Sequence, residues 1–230
     1  MHSSTPFAEQ GFAIVPGALG EAELAAARTP GLPSSGRGGS RCLLVEPWCA
    51  HLARRLRAQP ALQALIPSAH VAVQCTYFEK SATRNWLVPL HQDLSIPVAG
   101  TPVAGQLDSD ALRGWSRKDG SWFVQPPAQL LEQLVAVRLH LDACGPADGP
   151  LRVVPGTHRE GIIAPRRALA LRDAFGETEC TLTRGDALVL RPLLLHASSK
   201  GNGHSRRRVL HFVFGPRELP CGLRWPEAAV

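Results

Sequence analysis

Three places in the sequence set a histidine two residues before a carboxylate: His91-Gln92-Asp93, His140-Leu141-Asp142 and His158-Arg159-Glu160. Nine histidines and 19 acidic residues in 230 positions would yield about 0.7 such triplets by chance, so no single one is informative by itself. In a β-strand, residues i and i+2 face the same side, and each pair can offer an imidazole and a carboxylate to one metal ion. A second histidine from a distant strand would complete a 2-His-1-carboxylate set, which holds Fe(II) by three ligands and leaves positions open. His196 is the best placed for this. It follows the turn Gly185-Asp186 and the apolar run Ala187-Leu188-Val189-Leu190, and precedes Ala197-Ser198-Ser199. The loop Lys200-Gly201-Asn202-Gly203 then leads to Arg206-Arg207-Arg208 and a final strand. A metal-binding histidine at the end of one strand, with an arginine opening the next, would hold a metal and a carboxylate side by side.

The three pairs differ in setting. His91 and Asp93 precede His196 by enough chain to form the intervening strands of a rolled sheet. His140 and Asp142 are expected on one strand face with Arg138, which suggests a structural Arg138–Asp142 salt bridge. His158 closes Val153-Val154-Pro155-Gly156-Thr157-His158, a strand end and turn, where an imidazole is expected to tether the loop. Among the three consecutive arginines, strand parity separates one: with Val209, His211 and Val213 on one side, Arg207 shares it, and Arg206 and Arg208 point away.

These residues need a scaffold that turns often. Gly and Pro number 21 and 20 in 230 residues, which favours many short strands over long helices. Strands are expected over 11–16, 69–79, 86–91, 121–125, 133–142, 151–154, 179–183, 186–191 and 207–214. Within 69–79, Val71, Val73, Cys75 and Tyr77 alternate with Ala72, Gln74, Thr76 and Phe78. Helices are expected over 21–28, 47–58, 60–66 and 127–132, with 33–40 a loop or lid and 97–120 a long connection. The pattern points to a mainly β fold class: an antiparallel β core with N-terminal helices packed outside, in a single domain over 1–230.

Composition sets outer limits. Apolar residues at 44% and charged residues at 19% are globular values. No run of 18 apolar residues and no export signal is visible, so no membrane partner and a cytoplasmic location are expected. The six cysteines show no CxxC and read as reduced thiols. Of 25 basic residues only Lys80, Lys118 and Lys200 are lysines, and the formal net charge is +6. The basic residues are scattered rather than striped and aromatics are 6%, which argues against nucleic acid and for a small anionic molecule.

Taken together, His91-Gln92-Asp93, the stretch from Asp148-Gly149-Pro150 to Pro155-Gly156-Thr157-His158, and Gly185-Asp186 through His196-Ala197-Ser198 to Arg207 resemble the phytanoyl-CoA dioxygenase family. The resemblance spans roughly 7–215. It implies a double-stranded β-helix, or jelly roll, and non-haem Fe(II), 2-oxoglutarate and O2 as metal and cosubstrates. It implies His91, Asp93 and His196 as iron ligands, Arg207 as the oxoglutarate-binding arginine, and Ser198 as a second contact to that carboxylate. A carboxylate at Asp93, which halogenating relatives lack, implies hydroxylation, with succinate and CO2 released. The alternative is a cupin-like metal-binding protein with non-oxidative activity, which would need no Arg207. Gln74, 17 residues before His91, is expected on a neighbouring strand within reach of the substrate. Trp86, Trp115 and Trp122 lie where such proteins build the substrate wall. The expected substrate is a small metabolite, and the basic balance suits a carboxylate or a CoA thioester.

Overall fold

A jelly roll needs strands that are covered on both faces, and the longest strands here are apolar or buried along nearly their whole length. The computed structural model describes residues 6–26, 39–107, 110–202 and 206–230. In chain order the strands are β1 (Phe12–Val15), β2 (Gly39–Ser40), β3 (His70–Lys80), β4 (Val88–His91), β5 (Ile96–Val98), β6 (Arg113–Lys118) and β7 (Ser121–Gln125). They continue with β8 (Val135–His140), β9 (Leu151–Val153), β10 (Thr178–Cys180), β11 (Ala187–Leu190), β12 (His196–Ser198) and β13 (Arg207–Pro216). The helices are α1 (Pro6–Gln10), α2 (Glu21–Ala26), α3 (Pro47–Ala58), α4 (Pro60–Gln63), α5 (Ala104–Leu107), α6 (Ala128–Leu131) and α7 (Pro165–Phe175). Ala27 and Arg28 of the helix expected over 21–28, and 33–38 of the expected loop, lie outside the described residues.

Six strands form one antiparallel sheet in the order β1-β11-β8-β13-β3-β2, and four form a second in the order β10-β9-β12-β4. Parity explains the layers. Val135, Val137 and Leu139 of β8 and Leu210, Phe212 and Phe214 of β13 face outward, onto Cys49, Leu52, Ala53 and Leu56 of α3. Those four helix positions recur at helical spacing behind a proline at the first turn, while Arg55 and Arg57 end the helix. The opposite face of the large sheet supplies Ala136, Leu188 and Leu190, which meet Leu151, Val153 and Cys180 of the smaller sheet. Burying these apolar faces contributes roughly 25 cal/mol per Å² removed from water.

Four local expectations change. A bulge between Val213 and Phe214 skips Val73, so Ala72 joins the outward cluster with Cys75 and Tyr77 while Val71 and Val73 face another. The strand ending in His196 is two strands: β11 stops at Leu190, Pro192 interrupts the ladder, and β12 begins in the other sheet. The connection 97–120 contains β6, which pairs with β7, and β7 pairs in turn with β5, in a separate three-stranded sheet. Finally, α7 occupies 165–175, where no helix is expected, and buries only Ala168.

Candidate active site

The smaller sheet brings distant residues together. β12 pairs with β4 so that His196 lies opposite His91, and their rings stand 4.3 Å apart. Asp93 follows β4 by two residues, and its amide donates to the Pro192 carbonyl in the chain crossing between sheets. Nε2 of His91 is 3.7 Å from one Asp93 oxygen and Nε2 of His196 is 3.6 Å from the other. One ligand atom from each of the three falls within 4.8 Å of the others, so the set could hold a metal ion.

The hydrogen bonds fix which atoms are free. Nδ1 of His91 lies 2.8 Å from the Pro89 carbonyl and Nδ1 of His196 lies 2.8 Å from the Leu194 carbonyl. A carbonyl only accepts, so each Nδ1 carries the proton and each Nε2 presents a lone pair to the centre. Burial opposes ionisation of Asp93, but His196, His91 and His211 outweigh it and hold the carboxyl well below the usual carboxylate range. Burial draws His196 down to about 4, so its ring stays neutral. Burial opposes protonation of His91, but its contact with Asp93 raises it above the ordinary value, and a metal would displace that proton; two imidazoles and one carboxylate are then the donor set that suits Fe(II).

Gln92, between the two ligands, is buried and saturated. Its amide nitrogen donates to the carbonyls of Gly161 (2.8 Å) and Leu193 (2.6 Å), and its oxygen accepts from the Ile163 amide (2.8 Å).

The triad opens on a cavity of about 470 Å³ between the sheets. Arg207 lines it and is 4% exposed, whereas Arg206 pairs with Glu79 and Arg208 with Asp142, as strand parity requires. The Arg207 guanidinium donates to the Gly149 carbonyl, and its Nε has no hydrogen-bond partner among the described residues. Gly149 has φ 65°, and a Cβ there would meet the Ser199 carbonyl oxygen at 2.4 Å, so only glycine fits. Ser198 also lines the cavity. Its hydroxyl accepts from Lys80 Nζ at 2.9 Å, which leaves the Ser198 proton to donate inward. Lys80 stands opposite Arg207 across the β3–β13 ladder and is 3% exposed. Burial, then Arg207, lowers it to about 8, so it carries a proton at neutral pH.

Gln74 lines the cavity from β3 and bonds Thr76 at 2.9 Å. Trp115 does not line it: its ring packs edge-on against Trp122 at 6.5 Å in the three-stranded sheet, and Trp86 supplies the tryptophan of the cavity wall. Lys118 lies at the cavity and over Phe123 at 4.9 Å. His140 and Asp142 are not brought together with the triad. Asp142 is held by Arg208 at 2.7 and 2.8 Å, which overturns the expected Arg138–Asp142 bridge, and Arg138 lines the cavity instead. His158 reaches the Ala8 carbonyl at 3.3 Å and tethers its turn to α1. Sequence reasoning missed Lys80, Arg138 and His211. Each is a polar residue in an interior strand position, and that is the signal that could have found them.

Two sheets rolled face to face, with a His-Asp-His set that could hold a metal ion and a buried arginine on the same cavity, are an arrangement that suits a mononuclear non-haem oxygenase on a jelly roll. The chain belongs to the phytanoyl-CoA dioxygenase family, whose model matches residues 44–209, and this is a family of Fe(II)- and 2-oxoglutarate-dependent oxygenases that use O2. Among solved structures, EctD from S. alaskensis superposes with TM-score 0.67 at 18% identity, over 96% of this chain and 80% of that one. HygX from Streptomyces hygroscopicus, crystallised with nickel and 2-oxoglutarate, gives 0.59 at 21%, over 91% and 84%. SnoK, a carbocyclase of nogalamycin biosynthesis, gives 0.63 at 14%, over 97% and 92%. No curated protein matches the chain. No helix among the described residues is long and apolar enough to cross a membrane.

Proposed function

We propose that this protein, as one oxygenase domain in the cytoplasm, hydroxylates an unactivated C–H bond of a small metabolite, coupled to conversion of 2-oxoglutarate into succinate and CO2. The observation that carries the reading is the convergence of three ligand atoms within 4.8 Å on a cavity that also holds a buried arginine with an unpartnered Nε. When bound, the iron supplies activation of O2 and the oxidative decarboxylation of 2-oxoglutarate.

The chain's own residues do the rest. His91, Asp93 and His196 hold the metal, with the proton of each ring kept on Nδ1 by a backbone carbonyl. Arg207 takes the far carboxylate of 2-oxoglutarate, Ser198 donates its hydroxyl proton to it, and Lys80 keeps that hydroxyl turned inward. Gln74 faces the remaining space, where the substrate lies. The enclosing sheets exclude water, which strengthens each of these charge-assisted contacts. Solved structures of the same fold include an enzyme described as an epimerase and another as a carbocyclase, so product analysis decides among oxidative outcomes.

Anaerobic protein loaded with Fe(II) should develop a weak visible charge-transfer band on addition of 2-oxoglutarate. Arg207→Gln should weaken that binding at least tenfold, while Arg206→Gln leaves it unchanged. A well-folded wild-type protein without the band would sink the cosubstrate assignment and favour a non-oxidative metal protein. Succinate release screened across a metabolite library then identifies the substrate.

A further inference from the structure

Arg138 is 7% exposed, stands on the cavity side of β8, and makes no direct ion pair among the described residues; the cavity's one carboxylate, Asp93, lies beyond His211, whose Nε2 is 3.8 Å from it. The carboxylate nearest in sequence, Asp142, is committed to Arg208, and no ion pair among the described residues includes Arg138. Its partners are neutral. Nη1 donates to Nδ1 of His211 at 3.1 Å, and the guanidinium lies over the Phe78 ring at 5.3 Å. Since arginine cannot accept, His211 is held as the Nε2–H tautomer. The Arg138 Nε has no partner among the described residues. Burial, and then Arg207, weaken its hold on its proton while Asp93 partly restores it, to a value of about 10, so the group remains charged.

A buried, unpaired guanidinium costs several kcal/mol of desolvation unless something neutralises it. The cavity itself does not. Its lining includes Arg41, Lys118, Arg138 and Arg207 but only one carboxylate, Asp93, which belongs to the triad. The cosubstrate's two carboxylates are accounted for by Arg207 with Ser198 at one end and by the metal at the other. We infer that Arg138, oriented by His211, is a specificity-determining residue that receives the carboxylate of the substrate, which makes the substrate a small carboxylic acid. This rests on the oxygenase reading of the same cavity. A planar carboxylate matches the guanidinium fork. A single guanidinium beside a neutral imidazole suits a monoanion rather than a phosphate. About 470 Å³, shared with 2-oxoglutarate, suits a free acid rather than a CoA thioester.

The test reads binding rather than turnover. Protein loaded with Ni(II) and 2-oxoglutarate is titrated calorimetrically with a panel of small amino, hydroxy and oxo acids, their primary amides, and phosphate monoesters. Acids should bind the wild type, and amides and phosphate monoesters should not. Arg138→Gln should weaken acid binding about 30-fold, Arg138→Lys should restore part of it, and 2-oxoglutarate affinity should change less than about threefold in either variant. Three results overturn the inference: no acid binding to the wild type at millimolar concentration, acid binding that survives Arg138→Gln, or loss of 2-oxoglutarate binding in Arg138→Gln as severe as in Arg207→Gln. If Arg138→Gln fails to fold, the acid-against-amide comparison in the wild type and the Arg138→Lys variant still decide. Wild-type protein that binds no 2-oxoglutarate defeats the oxygenase reading itself, a result distinct from the other three.

Discussion

Gln92 uses three hydrogen bonds to tie the stretch between the metal ligands to 161–163 and to Leu193, so its neighbours on either side are held at a fixed separation. Gln92→Ala should cost about 2–4 kcal/mol, because three buried backbone groups lose their partner at once. Metal affinity should fall with it, by about 10- to 100-fold, as expected for a residue that orients ligands. Urea denaturation of the metal-free protein and a Ni(II) titration read the two effects separately. Equal metal affinity in the variant would show that the ligands are positioned without it. At this scale the sequence is most legible where chemistry is carried by residue type: a histidine and an aspartate two apart, and an arginine trailing a distant histidine. Arg138 is illegible by the same logic. Same-face spacing pairs it with Asp142, but β8 ends at His140, so the parity that governs Arg138 no longer governs Asp142.

Elements make the site dense. β12 is three residues long, yet His196 and Ser198 share one face of it, placing a metal ligand and a proposed carboxylate contact on the same short rod. Arg207 is set from the other sheet, and the Gly149 carbonyl receives it at the turn before β9. Gly149→Ala should therefore act twice. Positive φ and a contact at 2.4 Å with the Ser199 carbonyl should lower stability by about 1–3 kcal/mol, and displacement of the Arg207 partner should weaken 2-oxoglutarate binding. A variant that loses stability but binds 2-oxoglutarate normally would show that Arg207 needs no such support. Strands with both faces covered, such as β3, β8 and β13, are legible as apolar or alternating runs. β6 is not, because its sequence RGWSRK is mostly polar and has no buried residue. Its signal lies in the turn: Asp119 and Gly120 both have positive φ, 47° and 83°, which is the Asp-Gly hairpin pattern. The exposed face of α7 hides it similarly, since a helix that buries one residue has little apolar periodicity to read.

For the whole molecule, buried histidines set the response to acid. Burial, then Arg138 and Arg207, lower His140 to about 3, and burial lowers His70 as well. Below the ordinary value of 6.5 the unfolded chain takes up protons that these folded rings refuse, so stability is intact above 6.5 and declines as pH falls beneath it. Each such histidine contributes a slope of about 1.4 kcal/mol per pH unit well below that point. His140→Leu should flatten the profile by that amount between pH 6 and 4, measured by urea denaturation of metal-free protein. An unchanged slope would place the acid sensitivity elsewhere. A mainly β core with outer helices is legible from turn frequency and strand pattern, and the jelly roll from the family resemblance, but which polar residues share the interior depends on register, including the bulge at Val213 that no composition reveals.

Among the described residues the three-stranded sheet β5-β7-β6 shares no ladder with either main sheet, although it brings Lys118 and Phe123 to the cavity. The metal-binding register is therefore written in one set of hydrogen bonds and the outer wall of the cavity in another. A lineage can rewrite that wall, lengthening its hairpin or exchanging its side chains, without disturbing the pairing that sets His91 against His196. Inheritance of the chemistry and innovation in what it acts upon are thus assigned to separable stretches of the same chain.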